Sequence, residues 1–593
     1  MASVDDIFKS SGHSSKRKLD PIRDPNEIYK SAKLTTDGAS RHARVEDEPS
    51  QGNADDADAE AGPGLPPGDD DDFGPEMPPD DEEGGRFFGG GITAQESEVL
   101  DFVDGADAEA AAPDKIDAAW VRKTALNFEK HITKNAELRA KFEDQPQKFI
   151  ASEADLDADI KALSVLSEHP QLYKEFAKLG CVESLVGLLA HENTDIAIDA
   201  VEIVGELTDE DVDAEDADWD VLVDALMEAD LVGLIVSNFS RLNEEDEADR
   251  TGVYHALGVL ENLCSRSAVA TRLAENEKLI QWLLKRIQRE ESQVSQNKQY
   301  AAEILAILAQ ASPENRRKLI TVDAIDTMLQ LVAPYRRRDP DKGSEEEEYM
   351  ENLFEALTCL ADEPEGKLKF IEAEGLELCL IMLRDGKMSK APSLRLLDHA
   401  VGGEGPCSEV SQKLVEAGGL KTLFTIFNKS QDHRILGHLL AIFASMLRHL
   451  PGQSAERIRT LAKFVENDYQ KSSKLVKLHG ELANRVRRAE EQNETERKAT
   501  AGDEDDDELE VERLSRRLDA GLYNLQSVDV ILSWLVAEDD GARAKIKKLL
   551  AERDESLDTL KATLTDQLKE MDSTDEKSQD LRDMLGTLIE FLQ

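Results

Sequence analysis

The stretch Gly180-Cys181-Val182-Glu183-Ser184-Leu185-Val186-Gly187-Leu188-Leu189 decides the fold, because weaker copies of it recur along the chain. The first apolar residues of the aligned copies are Val182, Leu231, Leu279, Ile325, Leu376 and Leu420. Their spacings are 49, 48, 46, 51 and 44 residues. A helical period of roughly 40–50 residues is typical of armadillo or HEAT-type solenoids. We therefore predict an all-α, right-handed α-solenoid with an N-terminal helical cap and a C-terminal helical region.

Each repeat is predicted to hold two short helices and a longer third helix. In the first repeat, apolar residues at i, i+4, i+7, i+8 and i+11 form a single stripe that can face the neighbouring repeats. These residues are Ile196, Ala200, Ile203, Val204 and Leu207. The predicted third helices are residues 194–207, 251–264, 297–310, 349–360, 392–401 and 431–447.

Composition divides the chain into four parts. Residues 1–111 are predicted to be a disordered tail with a basic start and an acidic, Gly/Pro-rich remainder, since residues 46–110 hold 22 acidic residues and one basic residue. Residues 112–179 are predicted to form the N-terminal helical cap, and residues 180–450 the armadillo-like repeats. Residues 451–593 are predicted to form the C-terminal helical region, with a helix break near 466–468 and a mobile charged insert near 490–510.

The net charge of −53 limits the classes of partner. Direct nucleic-acid binding is not expected, since it requires basic residues that neutralise phosphates. No apolar stretch approaches the ~20 residues that span a bilayer, so no membrane partner is expected. Five widely separated cysteines are typical of free thiols in a reducing compartment. The charge favours basic segments of other proteins as partners.

The sequence carries no recognisable catalytic or cofactor motif. It has no Walker-type loop, no Cys-x-x-Cys or His-x3-His pairing for zinc, and no nucleophile elbow. Asp398 and His399 are adjacent, but neighbouring residues on a helix point to different sides. We predict a non-enzymatic protein with no cofactor and no metal.

Polar residues of the third helices are the candidates for partner binding. In armadillo proteins these helices line a concave groove, where carboxylates can pair with Lys or Arg and Asn amides can hold a peptide backbone. For each residue the alternative is an ordinary solvated helix face. The peptide-groove candidates are Asp199, Glu202, Glu206, Glu261, Asn262, Glu303, Glu351, Asn352 and Asp398.

The basic cluster Lys16-Arg17-Lys18 lies in the predicted tail. It is either a solvated charge run or a nuclear-localisation signal, and its exposed position favours a signal that an import receptor binds. We therefore predict a location in the nucleus.

Several stretches resemble one family in collinear order over roughly residues 115–593. They include Trp120-Val121-Arg122-Lys123-Thr124-Ala125-Leu126-Asn127-Phe128, Leu188-Leu189-Ala190-His191-Glu192-Asn193-Thr194-Asp195, Leu396-Leu397-Asp398-His399-Ala400, Lys463-Phe464-Val465-Glu466-Asn467-Asp468 and Arg516-Arg517-Leu518-Asp519-Ala520-Gly521-Leu522. The family that these stretches resemble is the beta-catenin-like protein 1 family, nuclear armadillo proteins associated with the spliceosome.

This resemblance implies a scaffold of pre-mRNA splicing complexes. Its partners would be proteins of the nineteen complex, built around a Myb-like core protein, bound through basic nuclear-localisation-type segments. Two other functions stay open: an importin-like transport adaptor, and a catenin-type cytoplasmic adhesion or signalling protein. The sequence lacks the regular Trp-x-x-x-Asn ladder of importin-α adaptors, which argues against the first. A homodimer also stays open.

Overall fold

In the computed structural model, the described residues are 115–499, 506–571 and 579–593, and within these ranges the chain is helical with no β-strand. The all-α prediction is therefore confirmed. The predicted tail, including Lys16-Arg17-Lys18, lies outside the described residues. Helices α1 (Ala118–Lys141) and α2 (Ile150–Ala162) precede the repeats. Helix α1 begins after Asp117, whose carboxylate accepts a 2.9 Å hydrogen bond from the backbone N–H of Ala119.

Six triplets of helices follow in the described part of the chain, and in each the third helix is the longest. The first three triplets are α3 (Tyr173–Lys178), α4 (Cys181–Gly187) and α5 (Thr194–Thr208); α6 (Asp216–Glu228), α7 (Leu231–Arg241) and α8 (Glu247–Cys264); and α9 (Ser267–Leu273), α10 (Glu277–Gln288) and α11 (Gln296–Ala311). The next three are α12 (Pro313–Thr321), α13 (Ala324–Val332) and α14 (Glu345–Asp362); α15 (Pro364–Glu372), α16 (Gly375–Asp385) and α17 (Lys390–Val401); and α18 (Cys407–Glu416), α19 (Gly419–Lys429) and α20 (His433–His449).

The six third helices form a ladder in which each packs on the next, from α5 through α8, α11, α14 and α17 to α20. Every one begins within about four residues of its predicted start. The five apolar residues predicted to form the stripe of α5 are all buried, which confirms that prediction. Burial of such a stripe is what holds neighbouring repeats of a solenoid together.

The recurring phrase marks the joint between the first and second helix of a repeat. In five of the six repeats the residue just before the second helix has a left-handed backbone: Gly180, Asp230, Asp323, Glu374 and Gly418, with φ between 56° and 79°. One left-handed residue ends the first helix and redirects the chain into the second. In the third repeat Asn276 takes this place with an extended backbone, and its side chain caps α10 instead.

Gly375 is required for a different reason, since the left-handed residue of its joint is Glu374. A Cβ at Gly375 would lie 2.3 Å from the ring of Phe370 on the preceding helix. Gly419 repeats the arrangement, because a Cβ there would lie 2.7 Å from Leu414. The first residue of the second helix is therefore small in these two repeats, because the preceding short helix lies against it.

The C-terminal region contains α21 (Ala455–Ala499), α22 (Asp506–Asp519), α23 (Leu522–Glu538), α24 (Asp540–Ala551), α25 (Leu557–Glu570) and α26 (Gln579–Phe591). Helix α23 packs on α20, and α21 packs on α18, α19 and α20, so the ladder of helices continues past residue 450. Helices α24, α25 and α26 then pack on α23.

The predicted helix break is present in α21. Glu466 is extended, and Asn467, Asp468 and Tyr469 have left-handed backbones. The segment near 490–510, predicted to be a mobile insert, is helical where it is described: residues 490–499 continue α21 and residues 506–510 begin α22. Asn493 is buried and donates a 3.1 Å hydrogen bond to the carbonyl oxygen of Arg513. Residues 500–505 lie outside the described residues, and the mobility of the insert stays a prediction.

The substitution Gly375→Ala is expected to lower the free energy of unfolding by about 1–3 kcal/mol, because the new methyl group overlaps the Phe370 ring. The matched control is Gly187→Ala, where no atom lies within 4 Å of the new Cβ. That control should be neutral or stabilising by up to ~1 kcal/mol. Urea denaturation of the full chain, followed by circular dichroism, measures both changes. Equal midpoints for the two variants would contradict the proposed crossing constraint.

Candidate functional site

The third helices carry the predicted binding residues, and the structure places these residues in different surroundings. Those on α5 form an acidic patch, those on α8 and α11 are engaged in contacts within and between repeats, and those on α14 and α17 are a mixture. Their role in binding stays a prediction. Their contacts decide which of them are available to a partner.

Asp199 faces a carboxylate of the N-terminal cap. Its side chain is hydrogen-bonded to that of Asp157 on α2, and its Oδ1 lies 3.7 Å from Nζ of Lys161. Lys161 is closer to Asp157, at 2.5 Å. Burial and the hydrogen bond with Asp157 raise the pKa of Asp199 to about 7. Two carboxyl groups with one ammonium between them leave this end of the ladder short of positive charge.

Glu202 and Glu206 follow Asp199 along α5, at the i+3 and i+7 positions of the same face. Among the described residues neither has a hydrogen-bond or ion-pair partner, and Glu206 is exposed. Burial of part of the side chain and the charge of Glu202 raise the pKa of Glu206. We call Asp157, Asp199, Glu202 and Glu206 the acidic face.

Glu206 also borders an open cavity of about 740 Å³ at the end of α5. The cavity is lined by Ser167, Glu168, Pro170, Gln171, Glu206, Asp209, Asp211, Val212 and Asp213. Helix α5 ends at Thr208 beside it, so the negative end of the helix dipole adds to the charge of the carboxylates. The acidic face therefore continues into a concave, negatively charged site.

The candidates on α8 and α11 are held by contacts within the fold. Asn262 donates a 3.0 Å hydrogen bond to the carbonyl oxygen of Gly205 on the preceding third helix. Glu261 accepts a hydrogen bond from the hydroxyl of Tyr300 on the following one. Glu303 accepts a 2.9 Å hydrogen bond from Gln299 of its own helix. These side chains join or support the ladder, and a partner would have to compete for them.

Towards the C-terminal end, the carboxylates have side-chain partners within the chain. Asp398 lies 2.9 Å from Nδ1 of His438 on α20. Glu355, which the sequence analysis did not single out, accepts a 2.9 Å hydrogen bond from Gln310, and its other oxygen lies 3.8 Å from Arg395. These two carboxylates are thus engaged within the fold, as Glu202 and Glu206 are not.

The two candidates on α14 differ from each other although they are adjacent. Glu351 is exposed and has no partner among the described residues, whereas Asn352 is only 6% exposed. Adjacent positions on a helix point in directions about 100° apart, so one faces solvent while the other turns toward the neighbouring helix. Glu351 is therefore a surface charge and Asn352 part of the packed ladder.

Sequence reasoning missed Asp157, Lys161 and the cavity carboxylates. The run of acidic residues from Asp209 to Asp218 was visible as a signal, but the contribution of the cap helix α2 was not. Within the described ranges, no group of three His, Cys, Asp or Glu side chains could hold a metal ion. No helix in the described part of the chain is long and apolar enough to cross a membrane.

Comparison with known proteins gives a consistent family. A model of the family described as "Catenin-beta-like, Arm-motif containing nuclear" matches residues 97–565. The beta-catenin-like protein 1 homolog of Schizosaccharomyces pombe is 39% identical over 489 residues, which are 82% of this chain and 84% of that protein. Beta-catenin-like protein 1 of Homo sapiens and of Mus musculus are each 38% identical over 459 residues, 74% of this chain and 80% of those proteins.

Engineered proteins are among the solved structures that match part of this chain. One engineered protein matches with a TM-score of 0.46 at 16% identity, over 74% of this chain and 95% of its own. A designed armadillo repeat protein, solved in complex with the peptide (KR)4, matches with a TM-score of 0.35 at 19% identity, over 45% of this chain and 99% of its own.

The contacts of the candidates separate supporting residues from surface residues. Asn262→Ala is expected to lower the free energy of unfolding by about 1 kcal/mol, because the carbonyl oxygen of Gly205 loses its 3.0 Å hydrogen bond from Asn262 and keeps only the 3.4 Å contact from the hydroxyl of Thr208. Glu351→Ala, on an exposed position of the same ladder, should change it by less than about 0.5 kcal/mol. Urea denaturation of both variants checks this difference, and an unchanged midpoint for Asn262→Ala would refute the supporting role.

Proposed function

Because this chain belongs to the catenin-beta-like family of armadillo-repeat proteins, we propose that it is a non-enzymatic nuclear scaffold of pre-mRNA splicing complexes. It binds basic, nuclear-localisation-type segments of splicing proteins associated with the nineteen complex, including its Myb-like core protein. The family and its relatives support the scaffold role, and the surface of the ladder supports the kind of segment that it takes.

The observation that carries the proposal is the acidic face with its adjoining cavity. Four carboxyl groups from α2 and α5 lie on one side of the ladder, and Lys161 is the one cation within 4 Å of any of them among the described residues. Lysine and arginine side chains of an extended segment would supply the missing positive charge through charge-assisted hydrogen bonds. The cavity, with a volume of about 740 Å³, gives such side chains a concave acidic surface to bind.

The site on α5 and α2 refines the groove that the sequence predicts. Candidates on α8 and α17 already have partners within the chain, so they offer less to an incoming cation. We expect the basic residues of the segment to bind at the N-terminal end of the ladder. Its remaining part would run along α8, α11 and α14 towards Glu351.

Nuclear localisation is part of the proposal. Lys16-Arg17-Lys18 would bind an import receptor, and the net charge of −53 disfavours direct contact with RNA. An importin-like carrier and a catenin-type adhesion or signalling protein remain the alternative functions. They differ from the scaffold in location and in the proteins with which they assemble.

Reversing two charges of the acidic face, Glu202→Lys with Glu206→Lys, is expected to weaken binding of a lysine- and arginine-rich peptide about tenfold or more. Each reversal replaces an attraction by a repulsion of similar size. Fluorescence anisotropy with the labelled peptide at 0.1 M salt measures the affinity. Binding to the unaltered chain should also weaken as salt rises, because the charges are partly exposed.

The matched control is Glu409→Lys with Glu416→Lys, two exposed glutamates on α18. This control changes the net charge equally but leaves the acidic face intact, so the affinity should change by less than about twofold. If both double variants bind the peptide equally well, the acidic face is not the binding site.

Affinity purification of the full chain from nuclear extract, with mass spectrometry, tests the partner class. The scaffold proposal predicts enrichment of splicing proteins, and reduced recovery of them with the Glu202→Lys, Glu206→Lys variant. Recovery of importin-β without splicing proteins would favour the transport adaptor. Recovery of cadherin tails from the cytoplasmic fraction would favour the catenin-type function.

A further inference from the structure

The loop that leads into α14 presents a run of surface residues between two fixed points. Pro340 and Tyr349 are buried, and none of the residues 341–348 between them is buried. On the N-terminal side the loop is held by Asp339, whose carboxylate accepts a 3.1 Å hydrogen bond from the backbone N–H of Met388 in the next repeat. The segment 341–348 is therefore anchored at both ends and open to the surface along its length.

This segment carries a hydroxyl group in front of a run of acidic residues. Ser344 is followed by four glutamates, residues 345–348. Protein kinases select their substrates partly by charge pattern, and acidophilic serine/threonine kinases take a hydroxyl with carboxylates at the +1 and +3 positions. In the described part of the chain, three hydroxyl groups have an acidic residue at both positions: Ser152, Thr208 and Ser344. The charge pattern alone does not choose among them.

Burial separates the three hydroxyl groups. Ser152 is 2% exposed, and its hydroxyl donates a 2.7 Å hydrogen bond to the carbonyl oxygen of Phe149. Thr208 is 1% exposed, and its hydroxyl donates a 2.8 Å hydrogen bond to the carbonyl oxygen of Val204. Ser344 is partly exposed and lies next to exposed residues on both sides. Of these three, Ser344 alone is within reach of another protein.

The contacts that hold Ser344 are polar. Its Oγ donates a 2.7 Å hydrogen bond to the carbonyl oxygen of Asp341 and accepts a 3.3 Å hydrogen bond from the backbone N–H of Glu347. The carboxylate of Glu347 accepts a hydrogen bond from the backbone N–H of Gly343. Water can replace each of these bonds, and residues 341–348 include no apolar side chain whose exposure would unpack the core. The first turn of α14 can therefore open locally at low cost.

We propose that Ser344 is a phosphorylation site for an acidophilic serine/threonine kinase. The Oγ atom of Ser344 forms a bond to the γ-phosphorus of ATP, and the bond between that phosphorus and the β,γ-bridging oxygen breaks. ADP leaves, and the hydroxyl proton passes to a base of the kinase. This inference does not rest on the proposed function, because the loop contains no residue of the acidic face.

The surroundings of Ser344 include groups that stabilise a phosphate. The phosphate would carry about −1.5 to −2 charges at the N-terminus of α14, where the helix dipole and the free backbone N–H groups favour an anion. Arg337 and Lys342 of the same loop are exposed, and neither has an ion-pair partner among the described residues. These groups oppose the repulsion from the neighbouring glutamates. Phosphorylation also removes the hydrogen that Ser344 donates to Asp341, so the loop loses one of its internal contacts.

The test incubates the full chain with ATP, Mg²⁺ and recombinant casein kinase II, an acidophilic kinase, and locates phosphate by peptide mapping with mass spectrometry. Free peptides that copy residues 147–160, 203–216 and 339–352 are treated in parallel, since they present the three charge patterns without the fold. We expect all three peptides to be phosphorylated. In the folded chain we expect phosphate on Ser344 and none on the other two hydroxyl groups.

Variants of the full chain check the charge pattern. Ser344→Ala should remove the modification at this loop. Glu345→Gln with Glu347→Gln should lower the initial rate at Ser344 about tenfold or more, because the +1 and +3 carboxylates are lost. The matched control is Glu409→Gln with Glu416→Gln on α18, which changes the net charge equally and should leave the rate unchanged.

The other outcomes would each overturn the proposal. Phosphorylation of the 339–352 peptide but not of Ser344 in the chain would mean that the fold withholds this serine. Modification of Ser152 or Thr208 in the chain as fast as Ser344 would mean that burial does not select the site. An equal loss of rate in both glutamine variants, or no phosphorylation of the 339–352 peptide, would mean that the kinase does not recognise the acidic run.

Discussion

Burial of the third helices between neighbouring repeats is the constraint on which the rest of the structure depends. On α11, for example, Ile304, Leu305 and Leu308 are completely buried, and each contributes roughly 1.5–3 kcal/mol relative to an exposed side chain. A single repeat could not bury these residues, so the ladder is stable only as a stack. Residues on the side of each third helix that faces away from this contact are not constrained by the packing between repeats.

Polar side chains on that surface either stabilise the ladder or are left available to a partner. A polar side chain on one third helix can donate a hydrogen bond to a carbonyl oxygen of the adjacent third helix, as Asn262 of α8 does to α5, and it then stabilises the ladder. A carboxylate without such a neighbour has no hydrogen-bond partner among the described residues, as for Glu202. Burial, and after it the hydrogen bond with the carboxyl group of Asp157, raise the pKa of Asp199 to about 7. The acidic face is thus the part of the ladder where internal compensation is weakest.

The sequence predicts features that recur and misses those that arise from contacts between repeats. The third helices could be placed because their apolar spacing repeats, and the break near Glu466 because polar residues interrupt that spacing. The partner of Asn262 lies 57 residues away and that of Asp398 lies 40 away. These pairs of residues meet only because each third helix packs on the next in a particular register. The composition of the chain does not reveal that register. The sequence does not identify α23 as a further helix of the ladder, because α23 carries no copy of the phrase and is apolar on nearly all sides.

The two ends of the ladder are consequently different. At the C-terminal end α23 is packed by α24, α25 and α26, and a buried pair, His479 and Asp529 at 2.6 Å, joins it to α21. Burial alone would lower the pKa of His479, but the hydrogen bond and charge of Asp529 outweigh it and raise that pKa. Burial raises the pKa of Asp529 despite the hydrogen bond with His479. At the N-terminal end α2 contributes Asp157 beside Asp199 of α5, and the adjoining cavity is lined by further carboxylates. The charged pair at the C-terminal end is thus enclosed by helices, whereas Glu206 at the N-terminal end stays exposed.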